Sequence, residues 1–131
     1  MTLAPGAVYV ELFVDDLAHH VAIFRDGLGF EIVEDEGEFV KLATPTALVM
    51  LNAERDLDDD HPFAQLRRGA RRGLGCELVF VVADVHRTRE KMCVIDGCAP
   101  TAIVDQEWGM SDFRVTTRDG YYLRVTAASA R

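Results

Sequence analysis

A block of six residues recurs in this chain at a fixed distance. Leu12-Phe13-Val14-Asp15-Asp16-Leu17 stands 68 positions before Phe80-Val81-Val82-Ala83-Asp84-Val85, and Gly29 stands 68 positions before Gly97. Each copy joins the end of an apolar segment to an acidic residue suited to capping a helix and a glycine suited to stopping it. One offset fits all these signals, so the chain reads as two copies of one unit: module 1 at about 7–52, a linker at 53–75 and module 2 at about 76–127. Two such units form a pseudo-symmetric domain rather than a solenoid, which needs three or more. At 131 residues the chain has the size of one ordinary domain, not of a multidomain enzyme.

Within each copy, periodicity sets the element order. Val8, Val10, Leu12 and Val14 alternate with Tyr9, Glu11 and Phe13, the period of a strand with one dry face. Leu17, Val21, Phe24 and Leu28 follow at helical spacing behind Asp15 or Asp16. Three short strands are predicted at 30–34, 39–43 and 47–51, parted by Asp35-Glu36-Gly37-Glu38 and Thr44-Pro45-Thr46. Module 2 repeats the order, with a strand expected at 77–83, a helix at 85–94 and strands near 101–105, 113–117 and 121–126. The fold class is therefore α+β, two tandem βαβββ modules. The linker carries an acidic run (Asp56, Asp58, Asp59, Asp60), a short helix expected at 62–68, and a basic run (Arg67, Arg68, Arg71, Arg72) that reads as solvated or paired with those acids.

Charge excludes one class of partner. Acidic residues number 22 and basic residues 14, a net charge of −8, whereas nucleic-acid binding needs cations that release phosphate counterions. The acidity points instead to a neutral or cationic small partner. It is uneven: residues 1–60 hold 14 acids and 3 bases, residues 61–131 hold 8 acids and 11 bases. No apolar run reaches the ~18 residues of a membrane span, and the first residues lack a signal-peptide pattern, so a cytoplasmic protein with no membrane contact is expected. Twelve of the 14 basic residues are arginine, which suggests a bacterial source. Cys76, Cys93 and Cys98 form no CxxC pair and read as reduced thiols rather than a disulfide or zinc framework. His19 and His20 on the first helix, His61 in the linker and His86 at the start of the second helix show no ligand spacing and read as solvated or capping.

Strand parity separates a core from a cleft. The wholly apolar side takes Val10, Leu12, Val49, Leu51, Leu78, Phe80, Val82, Leu123 and Val125; the mixed side takes Tyr9, Glu11, Phe13, Leu48, Met50, Asn52, Glu77, Val79, Val81, Tyr122, Arg124 and Thr126. The second set mixes aromatic, aliphatic, amide and charged groups, the makeup of a small-molecule pocket. Trp108, the only tryptophan, stands on a predicted loop, where it can stack on a ligand, cover a core edge or meet a partner subunit.

Val14-Asp15-Asp16-Leu17-Ala18, then Ile23-Phe24-Arg25-Asp26-Gly27-Leu28-Gly29-Phe30, Trp108-Gly109 and Asp119-Gly120-Tyr121-Tyr122-Leu123 together resemble the vicinal oxygen chelate superfamily of glyoxalases, bleomycin-resistance proteins and extradiol dioxygenases. The resemblance implies paired βαβββ modules in a curved, cup-like mixed sheet with helices on its outer face. Metal-using members hold the ion on the first and last strands of each module, positions that fall here on Tyr9, Met50, Glu77 and Arg124. Only Glu77 is a good donor, so no metal and no cofactor are expected, and a salt bridge from Glu77 to Arg124 is expected in the ion's place. The resemblance is nearest the metal-free bleomycin-resistance branch. It implies a homodimer that sequesters an antibiotic-like aromatic or cationic molecule without catalytic residues, bound by Tyr9, Glu11, Phe13, Met50, Asn52, Glu77, Trp108, Tyr122 and Arg124. In that reading Glu77→Gln weakens binding. A metal-dependent lyase, isomerase or dioxygenase of the same fold, with Glu77 as ligand or general base, is the alternative. An interaction module whose cup is filled by side chains is a third.

Overall fold

The two helices start alike and end alike. Asp16 caps α1 (Leu17–Ala22) by accepting from the His19 backbone N–H at 3.0 Å, and Asp84 caps α2 (Val85–Cys93) by accepting from the Arg87 N–H at 3.1 Å. Past the helices, Gly29 and Gly97 take φ of 79° and 76°, a left-handed backbone that side chains disfavour. The computed structural model describes residues 4–64 and 70–129, and in it the 68-residue offset holds at both cap and stop. α1 continues into a turn of π-helix, Ile23–Gly27.

The strands are β1 (Val10–Val14), β2 (Glu31–Asp35), β3 (Phe39–Thr44) and β4 (Ala47–Ala53) in module 1, and β5 (Glu77–Val81), β6 (Val104–Asp105), β7 (Met110–Thr116) and β8 (Tyr122–Ala128) in module 2. They form two four-stranded mixed sheets of equivalent order, β1-β4-β3-β2 and β5-β8-β7-β6. In each, the first strand lies parallel to the last and the other pairings are antiparallel. The α+β class and the tandem βαβββ modules are as the repeat predicts. Boundaries differ where pairing decides them. β1 starts only at Val10, because the pairing with β4 begins there and Val8 stands exposed. β7 starts three residues earlier than expected, because Met110, Ser111 and Asp112 pair with Ala128, Ala127 and Thr126. The helix expected at 62–68 lies mostly outside the described residues, as do Arg67 and Arg68.

Parity locates the core. Leu12, Val49, Leu51, Leu123 and Val125 are buried, and Val10, Leu78, Phe80 and Val82 pack against them. Each such large side chain contributes roughly 1.5–3 kcal/mol by leaving water. The core is shared: Phe24 and Phe30 of module 1 meet Phe80 of module 2 edge to face, at ring-centre distances of 5.6 and 6.0 Å. A Cβ on Gly27 would fall 2.5 Å from Met92 Sδ, so glycine there permits the close approach of the two helical segments.

The first two histidines are not solvated. His19 and His20 are buried, at 4% and 0% exposure, because the other module covers α1. His19 Nδ1 donates to the Asp96 carbonyl at 3.1 Å while its Nε2 accepts from the Arg118 backbone N–H at 3.2 Å. His20 Nδ1 donates to the Asp16 carbonyl at 2.6 Å, and its Nε2 accepts from the Thr117 hydroxyl at 2.9 Å. Arg118 completes the contact by reaching Asp16 at 2.7 Å and Asp96 at 3.0 Å. Such exposed pairs add little individually, so the apolar core and the buried imidazoles carry the docking of the modules.

Candidate functional site

The mixed face of the first sheet is built in rows. β1–β4–β3 register places Phe13, Asn52 and Phe39 in one row and Glu11, Met50 and Lys41 in the next. Asn52 Nδ2 donates to Glu11 Oε2 at 3.3 Å, and Lys41 Nζ lies 3.6 Å from Glu34 and 5.8 Å from the centre of the Phe39 ring. The linker adds two aromatic groups that strand parity could not supply: His61 and Phe63 pack on Phe13 at ring-centre distances of 5.0 and 5.1 Å. His61 is therefore half-buried against an aromatic pair instead of solvated. Tyr9 precedes β1 at the rim, half-buried beside Pro45 and Ala47.

The mixed face of the second sheet carries a lattice of charge. Arg124 stands opposite Val79 on β5 and opposite Arg114 on β7. Glu77 lies between the two guanidiniums, its Oε1 3.2 Å from Arg124 Nε and its Oε2 3.7 Å from Arg114 Nε. Asp112, with 1% exposure, accepts from Arg114 Nη1 at 2.5 Å and from Gln106 Nε2 at 3.0 Å through one oxygen, while its other oxygen is buried without a hydrogen-bond partner. Burial alone would lower the Arg114 pKa, but the Asp112 and Glu77 charges outweigh it and hold the guanidinium above its ordinary value. Asp112 escaped sequence reasoning because it lies ahead of the strand expected at 113–117, and Arg114, inside that strand, because parity was not extended along it. The alternation Met110, Asp112, Arg114, Thr116 was the available signal.

The expected residues thus fall into two groups. Glu11, Phe13 and Asn52 find their partners in module 1 and the linker, with Met50 in the same rows, whereas Glu77, Tyr122 and Arg124 share the face of module 2. Trp108 belongs to neither row: it occupies the turn between β6 and β7 at 62% exposure. A cavity of ≈ 510 Å³ lies beside Glu77 and Tyr122, walled by Arg71, Leu74 and Cys76 of the linker. Arg72 departs from the solvated reading of the basic run. It is buried against Glu54 at the end of β4, an ion pair that ties the linker to the first sheet.

The four positions corresponding to metal ligands do not suit a divalent ion. Tyr9, Met50 and Arg124 offer a phenol, a thioether and a cation, and the guanidinium of Arg124 already engages Glu77 where an ion would need that carboxylate. Among the described residues no three His, Cys, Asp or Glu side chains converge as a metal-binding group. The three thiols are free, and burial, with the Cys93 charge nearby, raises the pKa of Cys98. No helix among the described residues is long and apolar enough to cross a membrane.

The family model of the "Glyoxalase/Bleomycin resistance protein/Dioxygenase superfamily" matches residues 6–125. The chain belongs to this superfamily. Solved structures of similar fold include a protein of unknown function from Agrobacterium tumefaciens str. C58, 24% identical over 98% of each chain with a TM-score of 0.74. A glyoxalase/bleomycin resistance protein/dioxygenase family enzyme from Burkholderia phytofirmans PsJN is 18% identical over 92% of this chain and 97% of its own, with a TM-score of 0.75. A lactoylglutathione lyase from Agrobacterium tumefaciens is 20% identical over 95% of each chain, with a TM-score of 0.65. No curated protein matches the chain by sequence. At these identities the likeness is one of fold, and within the superfamily fold the chemistry follows from the residues of the site.

Proposed function

We propose that this superfamily member is a metal-independent, cytoplasmic bacterial protein that binds and sequesters a small organic, antibiotic-like molecule. The observation that carries the reading is the Arg124–Glu77 ion pair at 3.2 Å, which places a fixed cation on one metal-ligand position and occupies the only strong donor of the four. Sequestration asks only for a binding surface. The mixed faces supply aromatic groups at Phe13, His61 and Phe63 on one sheet and Tyr122 with charged neighbours on the other.

The reading includes a homodimer. Support comes from Val79, Val81 and Tyr122, which leave apolar surface open on the second sheet. Light scattering should then give twice the chain mass at micromolar concentration. The functional claim is tested by metal analysis of purified protein with titration of Ni²⁺ and Fe²⁺, alongside quenching of Trp108 fluorescence by candidate ligands. No stoichiometric metal, together with saturable quenching, is the expected result. Tight binding of one metal per chain would overturn metal independence and favour a lyase, isomerase or dioxygenase.

A further inference from the structure

We propose that Arg124 and Arg114 bind the oxyanion of a small organic acid, a carboxylate or phosphate ester with an apolar body. The proposal rests on the small-molecule reading above and names the chemistry of its ligand.

Two arginines directly opposite each other on neighbouring strands repel, and such a pair is tolerated only where anions lie between them. The protein's own anions satisfy the pair incompletely. Asp112 takes Arg114 Nη1, but Glu77 comes nearest to each guanidinium at Nε, 3.2 Å from Arg124 and 3.7 Å from Arg114, and Arg124 Nε is buried without a hydrogen bond. The hydrogen bonds among the described residues engage neither Nη1 nor Nη2 of Arg124, nor Nη2 of Arg114. The two side chains keep 27% and 24% of their surface, so a ligand can approach both arginines from solvent. A guanidinium fork is the protein group best matched to the planar pair of oxygens on a carboxylate or to a phosphate.

The surroundings specify the rest of the ligand. Val79 faces Arg124 across the strand pair, and Tyr122 precedes it by two residues on the same face; both stand exposed, at 45% and 38%, as does Val81 at 76%. The linker cavity opens beside Tyr122. An apolar body fits against these groups while its acid end reaches the arginines. A cationic end, by contrast, would have to compete with two guanidiniums for Glu77. Glu77 is then the internal carboxylate that a ligand oxyanion displaces or joins, which reverses the sign expected for Glu77→Gln when Glu77 is taken as the group that holds the ligand.

The test uses the full chain and four probes with a common ring: benzoate, phenylphosphate, benzylammonium and benzyl alcohol, titrated calorimetrically. Benzoate or phenylphosphate should bind saturably at one per chain, their ratio showing which oxyanion the fork prefers, and the other two probes should bind far more weakly. Arg124→Met should weaken the anion about ten- to a hundredfold, the loss of charge-assisted hydrogen bonds. Glu77→Gln should strengthen it several-fold, and this variant carries the test should Arg124→Met fail to fold. Benzylammonium or benzyl alcohol binding as tightly as benzoate, or Glu77→Gln weakening the anion, would overturn the proposal while leaving a small-molecule site. No binding by any probe would overturn it as well. Anion binding together with one tight metal per chain would keep the oxyanion site and overturn metal independence instead.

Discussion

Arg72→Met should destabilise the domain strongly, although Arg72 touches neither mixed face. Its side chain is 2% exposed and that of its partner Glu54 is 5%, so removing the guanidinium strands a carboxylate away from water. Breaking a buried pair in this way costs about 3–5 kcal/mol. Arg72 Nε and Nη2 and Glu54 Oε2 lack hydrogen bonds of good geometry, which places the cost near the lower end, about 3 kcal/mol. A domain of this length has an unfolding entropy of about 0.28 kcal/mol/K, so the melting temperature should fall by about 11 °C. Glu54→Leu combined with Arg72→Met should recover most of the loss, because replacing both charges removes the desolvation cost along with the attraction. Thermal unfolding followed by circular dichroism reads all three proteins. A shift below about 3 °C for Arg72→Met, the size expected of a solvent-screened surface pair, would refute the argument. The consequence reaches the site, since Arg72 also donates its backbone N–H to the Asp119 carbonyl at 2.8 Å and so fixes the linker beside the cavity near Tyr122.

Burial pushes the His20 pKa below its usual 6.5, against the opposing backbone bond to Asp16 and the Asp119 charge. The unfolded chain therefore takes up this proton first, so His20 supports folding fully above about pH 6.5 and less as pH falls below it. The urea midpoint should drop between pH 7.5 and 5, and His20→Gln should flatten that slope; an unchanged slope would remove His20 as its source. Gly27→Ala should cost about 1–3 kcal/mol by crowding Met92, and adding Met92→Ala should relieve the crowding even as it introduces a cavity of its own. A double-mutant cycle from urea unfolding checks the coupling, and additive costs would contradict it. Asp16→Ala should cost about 1–2 kcal/mol as a lost N-cap, and Asp16→Asn, which keeps the capping oxygen, only part of that, as measured by the same unfolding midpoints.

The repeat was legible because each of its signals is local. A cap needs one carboxylate and a stop needs one glycine, so Asp16, Asp84, Gly29 and Gly97 reveal themselves in sequence at one offset. Strand parity was legible for the same reason, and it separated Leu12, Leu51 and Val125 from Glu11, Met50 and Arg124 without reference to any family. What could not be read was long-range. Nothing near His20 announces Thr117, 97 residues away, and nothing near Arg72 announces Glu54 across the linker. Histidine is a type of intermediate burial and arginine one that usually sits in water; the second module covers His20, and the fold of the linker back onto the end of β4 buries Arg72.

The site was legible by face but not by sign. On the sequence alone, Glu11 and Glu77 against Arg124 leave the mixed faces at −1 and favour a cation. Register then brings in Arg114 and Asp112, and the second sheet's face carries two carboxylates and two guanidiniums, balanced in charge. A balanced lattice selects its ligand through the donors left unbonded rather than through net charge, and those left on Arg124 are N–H groups. The acids at 56–60 are exposed, so salt screens them more than it screens the half-buried charges of the lattice. The sign of the Glu77→Gln effect on benzoate affinity is therefore the observation that separates a site governed by the whole chain's acidity from one governed by two neighbouring strands.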